Sequence, residues 1–170
     1  KWAKTRGYQT HYYISPQLWA WKESRVSIVK KWVDSMYVIL PFEKEFYEKR
    51  HHFHVNFVGH PLLDALQQYE AVDAKVFRKQ WQLDERPIIA LLPGSRGQEI
   101  KKMLATMTEL SSSFSTHQFV IAGAPSQSKS VYEPYLKQGS IAFVENVTYD
   151  LLQIAEAALV ASGTATLETA

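Results

Sequence analysis

The sequence predicts an α/β fold built on parallel sheets, and three observations carry that expectation. From Ile88 onward, short apolar runs alternate with segments of helical periodicity. Two of those runs end in a glycine-bearing polar loop that leads straight into a helix, at Gly94-Ser95-Arg96-Gly97 and at Ser162-Gly163-Thr164. The earlier part of the chain carries further apolar runs rich in β-branched and aromatic residues, with a helix-like segment between the first two. Strands that alternate with helices form βαβ units, whose crossovers make the sheet parallel.

In chain order, the strands expected first are Tyr12–Ile14, Met36–Leu40 and Val55–Val58, each bounded by Ser, Pro or Gly. A helix is expected over Glu23–Val33, where Val26, Val29, Trp32 and Val33 recur at helical spacing and Lys30 and Lys31 take the other face. A short helix over Phe42–Arg50 follows Pro41, and a third begins near Pro61. Tyr69–Glu85 is charged and polar, anchored by Trp81 and Leu83, and Asp84-Glu85-Arg86-Pro87 reads as a turn. We therefore expect one domain over residues 1–75, a linker over 76–86 and a second domain over 87–170. In the second, strands are expected at Ile88–Leu92, Phe119–Ala122, Ile141–Val144 and Ala158–Ala161. Helices are expected at Glu99–Phe114, Val131–Lys137 and Asp150–Glu156. Thr148 is the expected N-cap of the last, and Leu151, Leu152, Ile154 and Ala155 give it an apolar face.

The composition is globular: 170 residues with 46% hydrophobic and 21% charged content, which argues against disorder as the overall state. A net charge of +2 gives no electrostatic case for a nucleic-acid partner. With no cysteine, the chain has neither a disulfide framework nor a thiolate metal site. No apolar run approaches the roughly 18–20 residues that span a bilayer. The chain opens on Lys1-Trp2 and stops at Thr169-Ala170 without a helix stop signal, so we expect an internal piece of a longer protein.

In parallel sheets, ligands bind beyond the carboxyl ends of the strands, so the loop after each strand is a candidate site. Gly94-Ser95-Arg96-Gly97 follows a strand and precedes a helix, which aims free backbone N–H groups and a positive dipole end at the loop. Arg96 adds a fixed charge, and the combination suits a phosphate or diphosphate. It is neither a Walker loop nor a G-x-G-x-x-G turn. The G-x-x-G spacing is that of a KH nucleic-acid clamp, but that clamp joins two helices. The same residues also suit a plain turn with a surface arginine.

Ser162-Gly163-Thr164 repeats the arrangement. Gly163 permits close approach or a positive φ, Ser162 and Thr164 can cap a helix or donate to phosphate, and Glu168 can accept from sugar hydroxyls one turn in. Tyr12 to Trp21 is dense in aromatics, for core, groove or base stacking. His60 stands at a strand-to-helix corner as a ligand contact or a corner hydrogen bonder. His51-His52-Phe53-His54 has no well-spaced carboxylate in sequence, which favours a solvated loop over a metal site.

Five blocks occur in an order that resembles lipid-A-disaccharide synthase: Ile14-Ser15-Pro16-Gln17-Leu18-Trp19-Ala20-Trp21, Leu40-Pro41-Phe42-Glu43, Val58-Gly59-His60-Pro61-Leu62, Leu92-Pro93-Gly94-Ser95-Arg96 and Ala161-Ser162-Gly163-Thr164-Ala165-Thr166-Leu167-Glu168. They run from near the start of the chain to its end. The resemblance implies a B-type glycosyltransferase with two Rossmann-like domains, incomplete here. Residues 1–75 would close the acceptor-side domain, and residues 87–170 would begin the nucleotide-side domain.

The implied reaction moves 2,3-diacylglucosamine from UDP onto 2,3-diacylglucosamine 1-phosphate with inversion, releasing UDP, in lipid A biosynthesis. Gly94, Ser95, Arg96, Ser162, Gly163 and Thr164 would border the diphosphate. Arg96 would stabilise the leaving group, and Glu168 would meet the ribose. Trp19, Trp21 and His60 would lie in the cleft or on the acceptor side. The resemblance implies no metal and no cofactor. It places the general base upstream of Lys1, so this piece alone is expected to be inactive. It also implies cytoplasmic residence, peripheral on the inner face of the inner membrane of a Gram-negative bacterium. The competing expectations are an enzyme like UDP-N-acetylglucosamine 2-epimerase, or a non-catalytic nucleotide- or RNA-binding module.

Overall fold

The computed structural model describes residues 1–67, 69–136, 141–161 and 163–169. It forms two compact units, Lys1–Tyr69 and Glu70–Ala170, each an α/β unit on its own parallel sheet.

The first unit runs α1 (Trp2–Thr5), β1 (His11–Tyr13), α2 (Val26–Trp32), β2 (Ser35–Val38), α3 (Pro41–Glu45), β3 (Asn56–Phe57) and α4 (Pro61–Gln67). Its strands pair in the order β1-β2-β3, all parallel. One core cluster holds it: Leu18, Val26, Met36, Val38, Phe46, Tyr47 and Val55. β2 was expected to reach Leu40 but stops at Val38, because the buried Glu43 carboxylate takes the next two backbone donors. Its Oε2 accepts from Ile39 N–H (3.1 Å) and Leu40 N–H (2.9 Å). Its Oε1 accepts from Ser15 Oγ at 2.7 Å, which ties the loop after β1 to the loop after β2. Helix α3 continues into a π turn, Phe46–Arg50, so the expected Phe42–Arg50 helix is present in two geometries.

The second unit runs α5 (Ala74–Gln80), β4 (Ile88–Leu92), α6 (Gly97–Glu109), β5 (Gln118–Gly123), α7 (Glu133–Leu136), β6 (Ile141–Glu145), α8 (Thr148–Ile154), β7 (Ala157–Val160) and α9 (Thr164–Thr169). Strand order is β6-β5-β4-β7, again all parallel. The two-residue period of the strands sorts side chains onto two faces. Ile88, Ala90, Leu92, Val120 and Ala122 join Leu151 of α8 and Phe77 of α5. Ile89, Leu91, Phe119 and Ile121 join Ile100 and Leu104 of α6 and Tyr132. The sheet is thus covered on both faces, the usual arrangement for a parallel sheet.

Several expectations need correction. Residues 76–86, expected as a linker, contain most of α5. Asp73 caps it through bonds from Lys75 N–H and Val76 N–H, and Phe77 and Leu83 enter the second unit's core. Isolated apolar residues in a charged stretch hide such a helix from a periodicity count. Thr148 is not the N-cap of α8: Val147 holds that position, and Thr148 is the first helical residue. The helix expected to reach Phe114 gives way after Glu109 to a 3₁₀ turn, Leu110–Ser112. There Ser111 and Ser112 donate back to the Thr108 and Glu109 carbonyls. The helix expected over Val131–Lys137 is a 3₁₀ turn, Lys129–Val131, followed by α7, and Lys137 lies outside the described residues. Glu156, expected to end a helix, already donates to the Ile88 carbonyl on the way into β7.

Candidate functional site

The order β6-β5-β4-β7 places a topological switch point between β4 and β7: the chain moves one way from β4 through β6, then returns to β4's other side. The loops after β4 and β7 diverge there and leave a crevice of about 410 Å³ beyond the strand ends. Four loops contribute to its wall. Pro93 to Arg96 follows β4, Ala124-Pro125 follows β5, Thr148 follows β6, and Ala161, Gly163, Ala165 and Glu168 follow β7. Gly94, Ser95, Arg96, Gly163 and Glu168, singled out in the sequence, therefore meet in one cavity. Ser162 lies outside the described residues, and so does the side chain of Thr164, whose backbone begins α9.

The β4 loop is built to present backbone donors. Arg96 is the N-cap of α6 in an extended conformation, and the first helical bond runs from Ile100 N–H to the Arg96 carbonyl (2.9 Å). The N–H groups of Gly97, Gln98 and Glu99 precede that bond and have no acceptor within the helix. The Arg96 side chain is exposed and forms no ion pair among the described residues. The loop is also fixed from the side. Gln127 Nε2 donates to the Ser95 carbonyl at 2.9 Å, and Ser126 Oγ lies 3.4 Å from the same oxygen. The β5 loop is pinned in turn by the buried Tyr132, whose hydroxyl oxygen accepts from Ala124 N–H at 2.9 Å. Burial pushes the Tyr132 hydroxyl above its ordinary pKa, which keeps it neutral in this role.

At the β7 loop, Gly163 adopts φ +132, a conformation suited to glycine, and Thr166 caps the turn by donating its hydroxyl to the Gly163 carbonyl at 2.6 Å. Glu168 is half-buried on the cavity wall. The charged wall residues are thus one arginine and two carboxylates, Glu168 and Glu99. Sequence reasoning missed Glu99, Thr148, Gln127 and Tyr132. Thr148 was assigned to capping, and the other three come from positions with no loop signature of their own.

The remaining candidates belong to the first unit. Trp19 packs edge-on against Phe42 (4.8 Å, 88°), and the exposed Trp21 lies under Lys22 Nζ at 4.7 Å. His60 acts at the corner: its Nδ1 accepts from Leu62 N–H at 3.2 Å at the start of α4. The histidine run does meet carboxylates, which chain separation concealed: His51 lies 2.9 Å from Glu23 and His54 2.8 Å from Glu48. Among the described residues, no group of three or more His, Asp or Glu side chains is arranged to hold a metal ion. No helix among them is long and apolar enough to cross a membrane.

A family model described as lipid-A-disaccharide synthetase matches residues 1–170. Among curated proteins, the chain is 40% identical over 175 residues to the lipid-A-disaccharide synthase of Coxiella burnetii (strain Dugway 5J108-111), covering 100% of this chain and 46% of that protein. It is 37% identical over 175 residues to the lipid-A-disaccharide synthase of Syntrophus aciditrophicus (strain SB), covering 99% and 45%. It is 33% identical over 174 residues to that of Francisella philomiragia, covering 97% and 45%. The chain spans a little under half the length of the curated relatives it matches.

Proposed function

The chain belongs to the lipid-A-disaccharide synthetase family, and from that premise we propose that its second unit is the UDP-sugar half-site of a glycosyltransferase of lipid A biosynthesis. The full protein transfers 2,3-diacylglucosamine from UDP to 2,3-diacylglucosamine 1-phosphate with inversion and releases UDP. The observation that carries this reading is the crevice at the switch point, where Gly94, Ser95 and Arg96 meet Gly163 and Glu168. Its similarity to lipid-A-disaccharide synthases favours a transferase over an epimerase or a nucleic-acid module.

The chemistry follows from where charge develops. As the glycosidic bond to UDP breaks, negative charge accumulates on the departing diphosphate. The free N–H groups at the start of α6 and the Arg96 guanidinium are preorganised donors for that charge. The Gln127 tie holds the loop so that they need not reorganise as charge develops. Glu168 accepts from the ribose hydroxyls, and Gly163 lets the β7 backbone approach the diphosphate. We assign no general base among the described residues. Trp19, Trp21 and His60 belong to the acceptor-side unit and shape that side of the reaction. The enzyme works peripherally on the inner face of the inner membrane, where its acylated substrates lie.

Calorimetric titration of UDP into the full protein tests the half-site: Arg96→Ala is expected to lose most affinity while the denaturation midpoint stays in place. UDP binding unchanged in Arg96→Ala would remove the assignment. Transfer assayed after EDTA treatment is expected to continue at its full rate, since the leaving group is held by protein donors. Strict dependence on a divalent ion would overturn that part.

A further inference from the structure

Glu99 stands in the first turn of α6, where the helix dipole favours a carboxylate. No hydrogen bond or ion pair among the described residues holds it there. Its side chain folds back over the β4 loop: a Cβ built on Gly94 would lie 2.5 Å from Glu99 Oε2 and 2.6 Å from Cδ. The carboxylate fills the space where a Cβ at position 94 would lie, and Glu99 shares the cavity wall with Pro93, Ser95 and Arg96. Glycine at 94 is favoured by φ +98, while the carboxylate, at the end of a flexible side chain, occupies the space its missing Cβ leaves. Gly94 and Glu99 line the same cavity as Arg96, at the start of α6, where free N–H groups favour a phosphate.

We propose that Glu99 is a specificity-determining residue of this pocket: its carboxylate competes with a nucleotide's diphosphate for the space over Gly94 and so weakens the hold on the leaving nucleotide. The inference rests on the nucleotide-sugar reading of the site. The competition is unequal between substrate and product. In a nucleotide sugar each phosphate carries one ester, to ribose or to sugar, plus the shared anhydride, and keeps a single, strongly acidic proton. The released nucleoside diphosphate has a terminal phosphate with one more ionisable proton, of pKa about 6. At neutral pH the product therefore carries more negative charge beside Glu99 than the substrate does, and like charges in a shielded pocket repel. Glu99 penalises product more than substrate and speeds release.

The test is calorimetric titration of UDP, UDP-N-acetylglucosamine and uridine into the full protein as wild type, Glu99→Gln, Glu99→Ala and Arg96→Ala. Both Glu99 variants, checked for an unchanged denaturation midpoint, are expected to bind UDP about three- to tenfold more tightly. The gain is expected to be smaller for UDP-N-acetylglucosamine and absent for uridine, which has no phosphate. Product inhibition by UDP should strengthen in parallel. Equal or weaker UDP binding in both Glu99 variants, with Arg96→Ala still losing UDP, overturns the role of Glu99 and leaves the nucleotide site standing. A matching gain for uridine overturns the competition as its cause. Wild-type UDP affinity in Arg96→Ala would instead overturn the nucleotide reading and this inference with it.

Discussion

The two sheets of this chain are built from the same elements and covered very differently. β4 and β5 are buried at every position, whereas β1 and β3 are exposed at every position, with Tyr13 at 55% and Phe57 at 45% of full exposure. Two apolar clusters sandwich the second sheet, and a single cluster supports the first. The first unit also carries polar ties. Asp34 accepts from Lys4 Nζ (2.5 Å), Thr10 N–H (2.9 Å) and Thr10 Oγ1 (2.8 Å), and Glu43 gathers Ser15, Ile39 and Leu40. The second unit has apolar layers on both faces of its sheet, while the first adds carboxylate clasps to a single apolar cluster, so the two should respond differently to the same insult.

The largest difference is expected from truncating a strand side chain. Leu91→Ala leaves a cavity between β4 and α6 and should cost about 2–5 kcal/mol in denaturant unfolding. Tyr13→Ala should stay within about 0.5 kcal/mol. Equal costs would erase the contrast in cover. Next, on the proposed reading, Arg96→Ala in the full protein should lower transfer about a hundredfold, roughly 3 kcal/mol of transition-state stabilisation, while leaving the second unit's stability unchanged. A fall in both together would make Arg96 a structural residue.

In the first unit, Glu43→Ala orphans two backbone donors and a serine hydroxyl, and should cost about 1–3 kcal/mol. The loss should appear in that unit's transition and leave the amide exchange of β4 and β5 unaltered. The smallest effect concerns acid. The Lys4 hydrogen bond, then those from Thr10, lower the Asp34 carboxyl from 3.8 to about 2. A depressed folded pKa adds stability above the unfolded value, and that increment is lost as pH falls through the folded one. The first unit's thermal midpoint should therefore decline between pH 4 and 2, and Asp34→Asn should flatten that decline. Asp84, lowered chiefly by its bond from Arg86, gives the second unit its own acid sensitivity, so the comparison needs the Asp34 variant rather than the wild type alone.

The sequence exposed most of the fold because strand runs such as Ile88–Leu92 and junctions such as Gly94–Gly97 are local signals. It pointed, for the same reason, to the β4 and β7 loops that line the candidate crevice. What stayed hidden depends on contacts across the chain. Nothing in the spacing of Gln127 and Ser95 shows that the β5 loop will brace the β4 loop, since that bond exists only once β4 and β5 are paired. Glu43 reads as an ordinary first-turn acid, yet its reach to Ser15 decides where β2 ends. α5 was missed because Phe77, Trp81 and Leu83 interrupt a charged stretch without a clear stripe. Glu99 was passed over because a helix-opening glutamate is common, and only its contact with Gly94 sets it apart.

The last strand position of β5 links two places in the sequence that would otherwise vary alone. A Cβ at Gly123 would lie 2.6 Å from the Phe143 ring of the neighbouring strand. Among descendants of this sequence, position 123 is locked while position 143 stays aromatic. Shrinking 143 relieves the ring contact, and the Val144 carbonyl at 3.3 Å from the same position remains. Substitutions there have an order of arrival, and a lineage that takes them in the wrong order passes through a damaged intermediate one residue from Ala122 and Ala124 on the crevice wall.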